Sequence, residues 1–106
     1  MRRGEIYWAD LGPGFGRRPA VILTRTAAIP VLRSVTVAPV TRRIRGIASE
    51  VALGRDDGLP TECVATCDNI LTIRQDVLDA TPVGRLGPAK AAALDASLRF
   101  ALEIRA

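Results

Sequence analysis

The sequence contains no histidine. That removes the imidazole acid–base group, and with it every Ser-His-Asp triad and Cys-His pair. Cysteine is scarce: Cys63 and Cys67 are the only two. A zinc site takes four sulfur, nitrogen or carboxylate ligands, so two thiols without a histidine make a poor one. They read as small, half-buried side chains in a strand. No carboxylate cluster resembles a metal site, and neither a metal nor a cofactor is expected. Gly12-Pro13-Gly14-Phe15-Gly16 is glycine-rich, but no Lys-Ser/Thr follows it and it opens no helix, which excludes a nucleotide-binding P-loop. Aromatic residues number four, too few for a binding surface built from stacking platforms. Long apolar runs are missing as well, none approaching the roughly 18–20 residues that cross a bilayer. The start, MRRGEIYW, is basic without an apolar stretch behind it, unlike a secretory signal. No membrane association and a cytoplasmic location are expected.

What is abundant is arginine. Fourteen of the fifteen basic residues are Arg, Lys90 being the only lysine. Their distribution is lopsided. Residues 1–45 hold nine arginines against Glu5 and Asp10, a balance of +7; the remainder holds six basic and nine acidic residues, a balance of −3. The guanidinium is a planar fork that matches phosphate oxygens, and a one-sided basic surface is the footprint of a nucleic-acid partner.

The 106 residues and 48% hydrophobic content predict one domain, 1–106, with a modest core. Strands are predicted over 4–9, over 19–24 with Pro19 at the first position, and over 34–40 ending at Thr41. Further strands are predicted over 50–53, 62–66 and 70–73. Between them lie a turn-rich loop at 10–16, a connector at 26–33, a basic loop at 42–46 and a turn at 54–60. The end changes character: Pro88 suits a first helical turn, and Leu94, Leu98, Ala101 and Leu102 recur at helical spacing. Short strands with tight turns and a closing amphipathic helix imply a small, strongly curved antiparallel barrel, mainly β, with a C-terminal helix.

Arg17 and Arg18 pose a question, because a strand that buries Val21, Ile22 and Leu23 has no packing need for two charges at its mouth. Arginine is a poor base but stabilises charge that builds on phosphoryl oxygens. RNA carries its own nucleophile, the 2′-hydroxyl. A protein that aligns this hydroxyl with the adjacent phosphate and neutralises the transition state needs no metal. The bland alternative is that both arginines cap the loop and pair with Asp10 or Glu5.

Arg3-Gly4-Glu5-Ile6-Tyr7-Trp8-Ala9-Asp10-Leu11, followed by Gly16-Arg17-Arg18-Pro19-Ala20-Val21-Ile22-Leu23, resembles the opening of the MazF/PemK/Kid toxins, the ribonuclease halves of bacterial toxin–antitoxin pairs. Val37-Ala38-Pro39-Val40-Thr41 resembles that family's third-strand motif, and Val64-Ala65-Thr66-Cys67-Asp68-Asn69-Ile70-Leu71-Thr72-Ile73 its later strand. The resemblance covers nearly the whole chain, most weakly at 26–33 and 42–60. It implies an SH3-like barrel, a symmetric homodimer and metal-independent, sequence-specific cleavage of single-stranded RNA to 2′,3′-cyclic phosphate and 5′-hydroxyl ends. It also implies a cognate antitoxin that lays a flexible acidic segment along the RNA groove. Arg18 matches the family's catalytic arginine and Thr41 its catalytic threonine. Asp68 and Thr66 are candidates for a catalytic or substrate-positioning role. The chain departs from the family in its short Pro13–Arg18 loop, which carries no Glu or His, and in Thr66, where some members have arginine.

RNA contacts are expected from Arg17, from the basic loop residues Arg42, Arg43 and Arg45, and from Phe15, which either stacks on a base or packs on the core. The structural alternatives are a turn hydroxyl for Thr41, a turn carboxylate bonding the Ile70 backbone for Asp68, and a solvated loop for 42–45. Tyr7 and Trp8 read as core or dimer surface. Two other functions compete. A CcdB-type gyrase poison acts through an apolar, aromatic helix tip, whereas this chain ends Leu102-Glu103-Ile104-Arg105-Ala106. A non-catalytic RNA-binding barrel would want more aromatics.

Overall fold

The computed structural model describes residues 1–105. Its strands are β1 (Glu5–Asp10), β2 (Arg17–Ile22), β3 (Ser34–Thr41), β4 (Glu50–Leu53), β5 (Cys63–Thr66), β6 (Leu71–Arg74) and β7 (Gly84–Arg85), and its helix is α1 (Pro88–Leu102). All pairings are antiparallel, and the order across the sheet is β4-β5-β3-β2-β1-β7. β3 is the hinge of the architecture. Its first half pairs with β6 and its end with β5, with β2 on the other side. The chain turns from β5 to β6 through a 3₁₀ turn at Cys67–Asn69, so one long strand serves two short ones and the sheet curls into a half-barrel.

Period-two alternation buries both faces of this sheet. Ile6, Val21, Ala38 and Val40 point into a core that also holds Val51, Leu53, Ala65 and the helix residue Leu94. Tyr7, Ala9, Ala20, Ile22, Val35 and Val37 point the other way, into a second core closed by Ile29 and Leu78. Ile29 comes from a 3₁₀ turn over Thr26–Val31, within the predicted connector at 26–33.

The helix begins at Pro88 behind the N-cap Gly87 and stops where Glu103 takes a left-handed conformation (φ 57°). Leu94 is fully buried, Leu98 and Ala101 pack beside it, and Leu102, expected on the buried face, is half exposed. Polar contacts pin the helix down. Arg3 pairs with Asp95 at 3.0 Å, Ser97 donates to the Glu50 carbonyl at 3.4 Å, and Lys90 donates to the Ala52 carbonyl. No described helix is long and apolar enough to cross a membrane.

β2 begins two residues earlier than predicted. Asp10 and Ala9 pair with Arg17 and Arg18, so both arginines are strand residues. Pro19 lies where β2 is laddered to β1 but not yet to β3, a position that tolerates its missing N–H. The two-residue β7 was not anticipated, since a strand that short leaves no periodicity to read.

Both cysteines are free and fully buried, rather than half-buried, and Cys67 lies in the 3₁₀ turn. Burial, helped by the Asp68 charge, pushes the Cys67 thiol up from 9.0 to about 11. The folded state therefore holds this proton more tightly than the unfolded chain. The resulting stability is complete below pH 9 and is lost as the pH rises towards 11. Urea denaturation at pH 7.5 and pH 10 is expected to show a smaller drop for Cys67→Ala than for the parent, whatever the variant's absolute stability.

Candidate active site

The glycine loop builds one wall of the site. Gly12, Gly14 and Gly16 all have positive φ (86°, 88° and 67°), a region that costs other residues roughly 1–2 kcal/mol. The loop closes on itself: Phe15 and Gly16 N–H donate to the Gly12 carbonyl, and Leu11 N–H donates to that of Gly16. This leaves the Phe15 carbonyl to accept from Arg18 Nε at 2.6 Å. Phe15 itself is half-buried against the second core and also borders a surface cavity.

Successive strand residues face opposite ways, and Arg17 and Arg18 have different surroundings. Arg17 pairs with Asp79 at 2.6 Å, not with Asp10 or Glu5, and its guanidinium lies 5.7 Å from the centre of the Trp8 ring. The Asp79 hydrogen bond and charge raise its pKa. Arg18 has no carboxylate partner among the described residues. Its Nε is anchored by the Phe15 carbonyl, which leaves the two terminal nitrogens for a ligand.

Thr41 is brought to Arg18 by register. β2 and β3 pair Ala20 with Pro39 and Val21 with Ala38; Arg18 and Thr41 lie two residues beyond this ladder, at the same end of both strands. The Thr41 hydroxyl accepts from Arg43 N–H at 3.2 Å. The turn reading of this residue is therefore realised, and the hydroxyl proton is still free to donate. Arg18, Thr41 and Arg43 line both of two adjoining cavities. The first, about 550 Å³, is walled by Trp8, Val40 and the Leu59–Thr61 turn. The second, about 320 Å³, is walled by the glycine loop and by Ser49, Asp68 and Asn69.

The basic loop is exposed but not unformed. The Glu50 carboxylate accepts from Arg45 N–H (3.0 Å) and Gly46 N–H (2.8 Å), which fixes the loop's far end. The side chains of Arg42, Arg43 and Arg45 form no ion pair among the described residues, and Arg42 borders the first cavity and Arg45 the second. Thr66 donates to the Pro39 carbonyl at 2.9 Å, holding β5 to β3 just behind Thr41. Asp68 does not bond the Ile70 backbone; its Oδ2 accepts from the Ser49 hydroxyl at 2.5 Å. Ser49 and Glu50 were not singled out from the sequence, and Trp8 was read only as core or dimer surface. Ser49 and Glu50 reach the site because β4 pairs with β5, Glu50 opposite Thr66, a long-range contact with no local signature; Asn69 arrives with its neighbour Asp68 in the 3₁₀ turn after β5.

A half-barrel that sets an arginine with no carboxylate partner among the described residues beside a threonine, between two clefts rimmed by further arginines, defines a small anion-handling β-domain. Residues 2–102 match the family described as PemK-like, MazF-like toxin of type II toxin-antitoxin system, and the chain belongs to that family. Among similar proteins is the probable endoribonuclease MazF5 of Mycobacterium tuberculosis, 39% identical over 95% of this chain and 92% of that one. Among solved structures, Mycobacterium tuberculosis toxin MazF-mt6 superposes with a TM-score of 0.88 at 35% identity, covering 96% of this chain and 99% of its own. An endoribonuclease in complex with its cognate antitoxin, from a mycobacterial species, superposes with a TM-score of 0.87 at 31% identity, covering 100% and 98%.

Proposed function

We infer that this chain is the endoribonuclease toxin of a toxin–antitoxin pair. The observation that carries the reading is Arg18: a strand arginine without a carboxylate partner among the described residues, fixed by a backbone carbonyl, lining with Thr41 the two clefts that adjoin there. A family whose compared members are named endoribonucleases supplies the reaction class.

Single-stranded RNA lies across the ridge with the scissile phosphate between Arg18 and Thr41. The 2′-oxygen attacks phosphorus and forms the O2′–P bond as the P–O5′ bond breaks. The 2′-hydroxyl loses its proton and the departing 5′-oxygen gains one. The products are a 2′,3′-cyclic phosphate and a 5′-hydroxyl, with no water consumed and no metal needed for the nucleophile. The terminal nitrogens of Arg18 meet the charge that grows on the non-bridging oxygens. Thr41 donates to one of those oxygens or holds the 2′-hydroxyl. Arg43 and the flanking Arg42 and Arg45 hold the neighbouring phosphates. Arg17, drawn to Asp79, contributes charge at the rim.

The +7 half of the chain also fits a partner of opposite charge, and an antitoxin segment rich in Asp and Glu is its natural cover. The chain works as a homodimer in the cytoplasm, as one domain over 1–106. The test of activity is incubation of the protein with a long single-stranded RNA in EDTA, followed by mapping of the product ends. Discrete cuts carrying cyclic-phosphate and 5′-hydroxyl termini are expected. Intact RNA beside a folded protein would remove the ribonuclease reading.

A further inference from the structure

The second cavity has a wall that phosphate chemistry does not explain. On one side stand Arg18, Thr41, Arg43 and Arg45; on the other stand Ser49, Asp68 and Asn69. A carboxylate repels phosphate, so Asp68 weakens any phosphate held near it. Yet its orientation is set with care. Ser49, 2% exposed, gives its hydroxyl proton to Asp68 Oδ2 at 2.5 Å. Oδ1 has no protein donor among the described residues, and no arginine of the cavity forms an ion pair with Asp68. The Asn69 side chain is likewise without a protein hydrogen bond among the described residues. At about 320 Å³ the space is at the small end of ligand sites, the scale of one nucleotide rather than of a longer RNA segment.

We propose that Asp68, positioned by Ser49, reads the exocyclic amine of the one nucleobase that enters this cavity beside the scissile phosphate, and so sets part of the cleavage specificity. This rests on the ribonuclease reading above. Cytosine and uracil have the same shape and opposite polarity at position 4: cytosine presents an N4 amine donor and uracil an O4 acceptor. A fixed carboxylate accepts from the first and repels the second, which is selection by attraction and by exclusion together. Adenine and hypoxanthine differ in the same way at position 6.

The test uses oligonucleotides that differ only at each nucleotide flanking the mapped cut, cytosine against uracil and adenine against hypoxanthine, with initial cleavage rates as the readout. At one flanking position the parent is expected to prefer the amine-bearing base by about tenfold. Asp68→Asn, which keeps an acceptor for Ser49 and adds a donor, is expected to reduce or invert that ratio at the same position and at no other. Ser49→Ala, which unfixes the carboxylate, is expected to shrink the ratio without inverting it. Four results overturn the proposal. One is a parent that cuts RNA with no amine preference at either flank. Another is an Asp68→Asn variant with the parent's ratios. A third is a folded Asp68→Asn variant inactive on every substrate, which would make Asp68 a catalytic group. The fourth is a parent that cuts no RNA at all, which removes the ribonuclease reading itself.

Discussion

Replacing Arg18 with alanine is expected to lower the RNA cleavage rate by about 10²–10³-fold while leaving the melting temperature within a few degrees of the parent. The two halves of this expectation come from different contacts. Arg18 makes one hydrogen bond to protein, from Nε to the Phe15 carbonyl, and no ion pair among the described residues. The exposed turn that carries the carbonyl is also held by Gly12 and Gly16, so its loss costs the fold little. The transition state loses the carbonyl-anchored guanidinium that lines both clefts with Thr41. Arg18→Lys tests whether charge alone is enough. Lysine keeps one positive charge but has neither a second nitrogen in a fixed plane nor an Nε to anchor on Phe15, so it is expected to recover only a minor part of the rate. The readout is the initial rate on a fluorescent single-stranded oligonucleotide, with thermal unfolding followed in parallel. A variant that loses ten degrees and only tenfold in rate would make Arg18 a structural clamp of the glycine loop.

The contrast between Arg17 and Arg18 also shows what a sequence makes legible. That two charges flanked an apolar run, and that neither served packing, could be read directly. The position of Thr41 at the end of β3 followed from period-two patterning; Arg18 was read as lying just before its strand, and it is the second residue of β2. Which of the two arginines is free could not be read. It depends on Asp79, 62 residues away, and on Trp8 from β1. The strands themselves were legible because Val, Ile and Thr cluster between glycines and prolines. What patterning missed is what depends on long-range pairing: the division of β3 between β5 and β6, the two-residue β7, and the arrival of Ser49 and Glu50 beside Asp68. The helix face was legible at Leu94, Leu98 and Ala101. It failed at Leu102, the last helical residue, which lies eight positions, about 80° of helical rotation, from Leu94 and is half exposed. The resemblance on 3–23 and 37–41 carried the functional reading, since arginine beside proline is by itself a common dipeptide.

Gly84→Ala is expected to destabilise the fold by about 3 kcal/mol, the upper part of the overpacking range, and to lower the melting temperature by more than about 10 °C in a domain of this size. The reason is not backbone conformation, since Gly84 has no positive φ. A Cβ at this position would sit 1.8 Å from the Asp57 carbonyl oxygen and 2.8 Å from its carbon. Both are backbone atoms that cannot swing aside like a side-chain tip. They are also held from behind: Asp57 Oδ2 accepts from Gly54 N–H at 2.9 Å, Val83 N–H donates to the Ile6 carbonyl at 2.8 Å, and Gly84 pairs with Ile6 across β1. Gly14→Ala provides the comparison. Gly14 has a φ of 88°, but an added Cβ would meet nothing within 4 Å. Its cost is conformational alone, about 1–2 kcal/mol, and thermal unfolding of the two variants should separate these causes. Their effects on cleavage should differ in place as well. Asp57 and Gly58 lead directly into Leu59, Pro60 and Thr61, a wall of the first cavity, so the strain of Gly84→Ala enters the cleft from the Trp8 side. Gly14 borders the second cavity and precedes the carbonyl that anchors Arg18. Equal losses of stability from the two substitutions would mean that β7 yields to the added methyl, and that this short strand is not the fixed edge that its pairing with β1 describes.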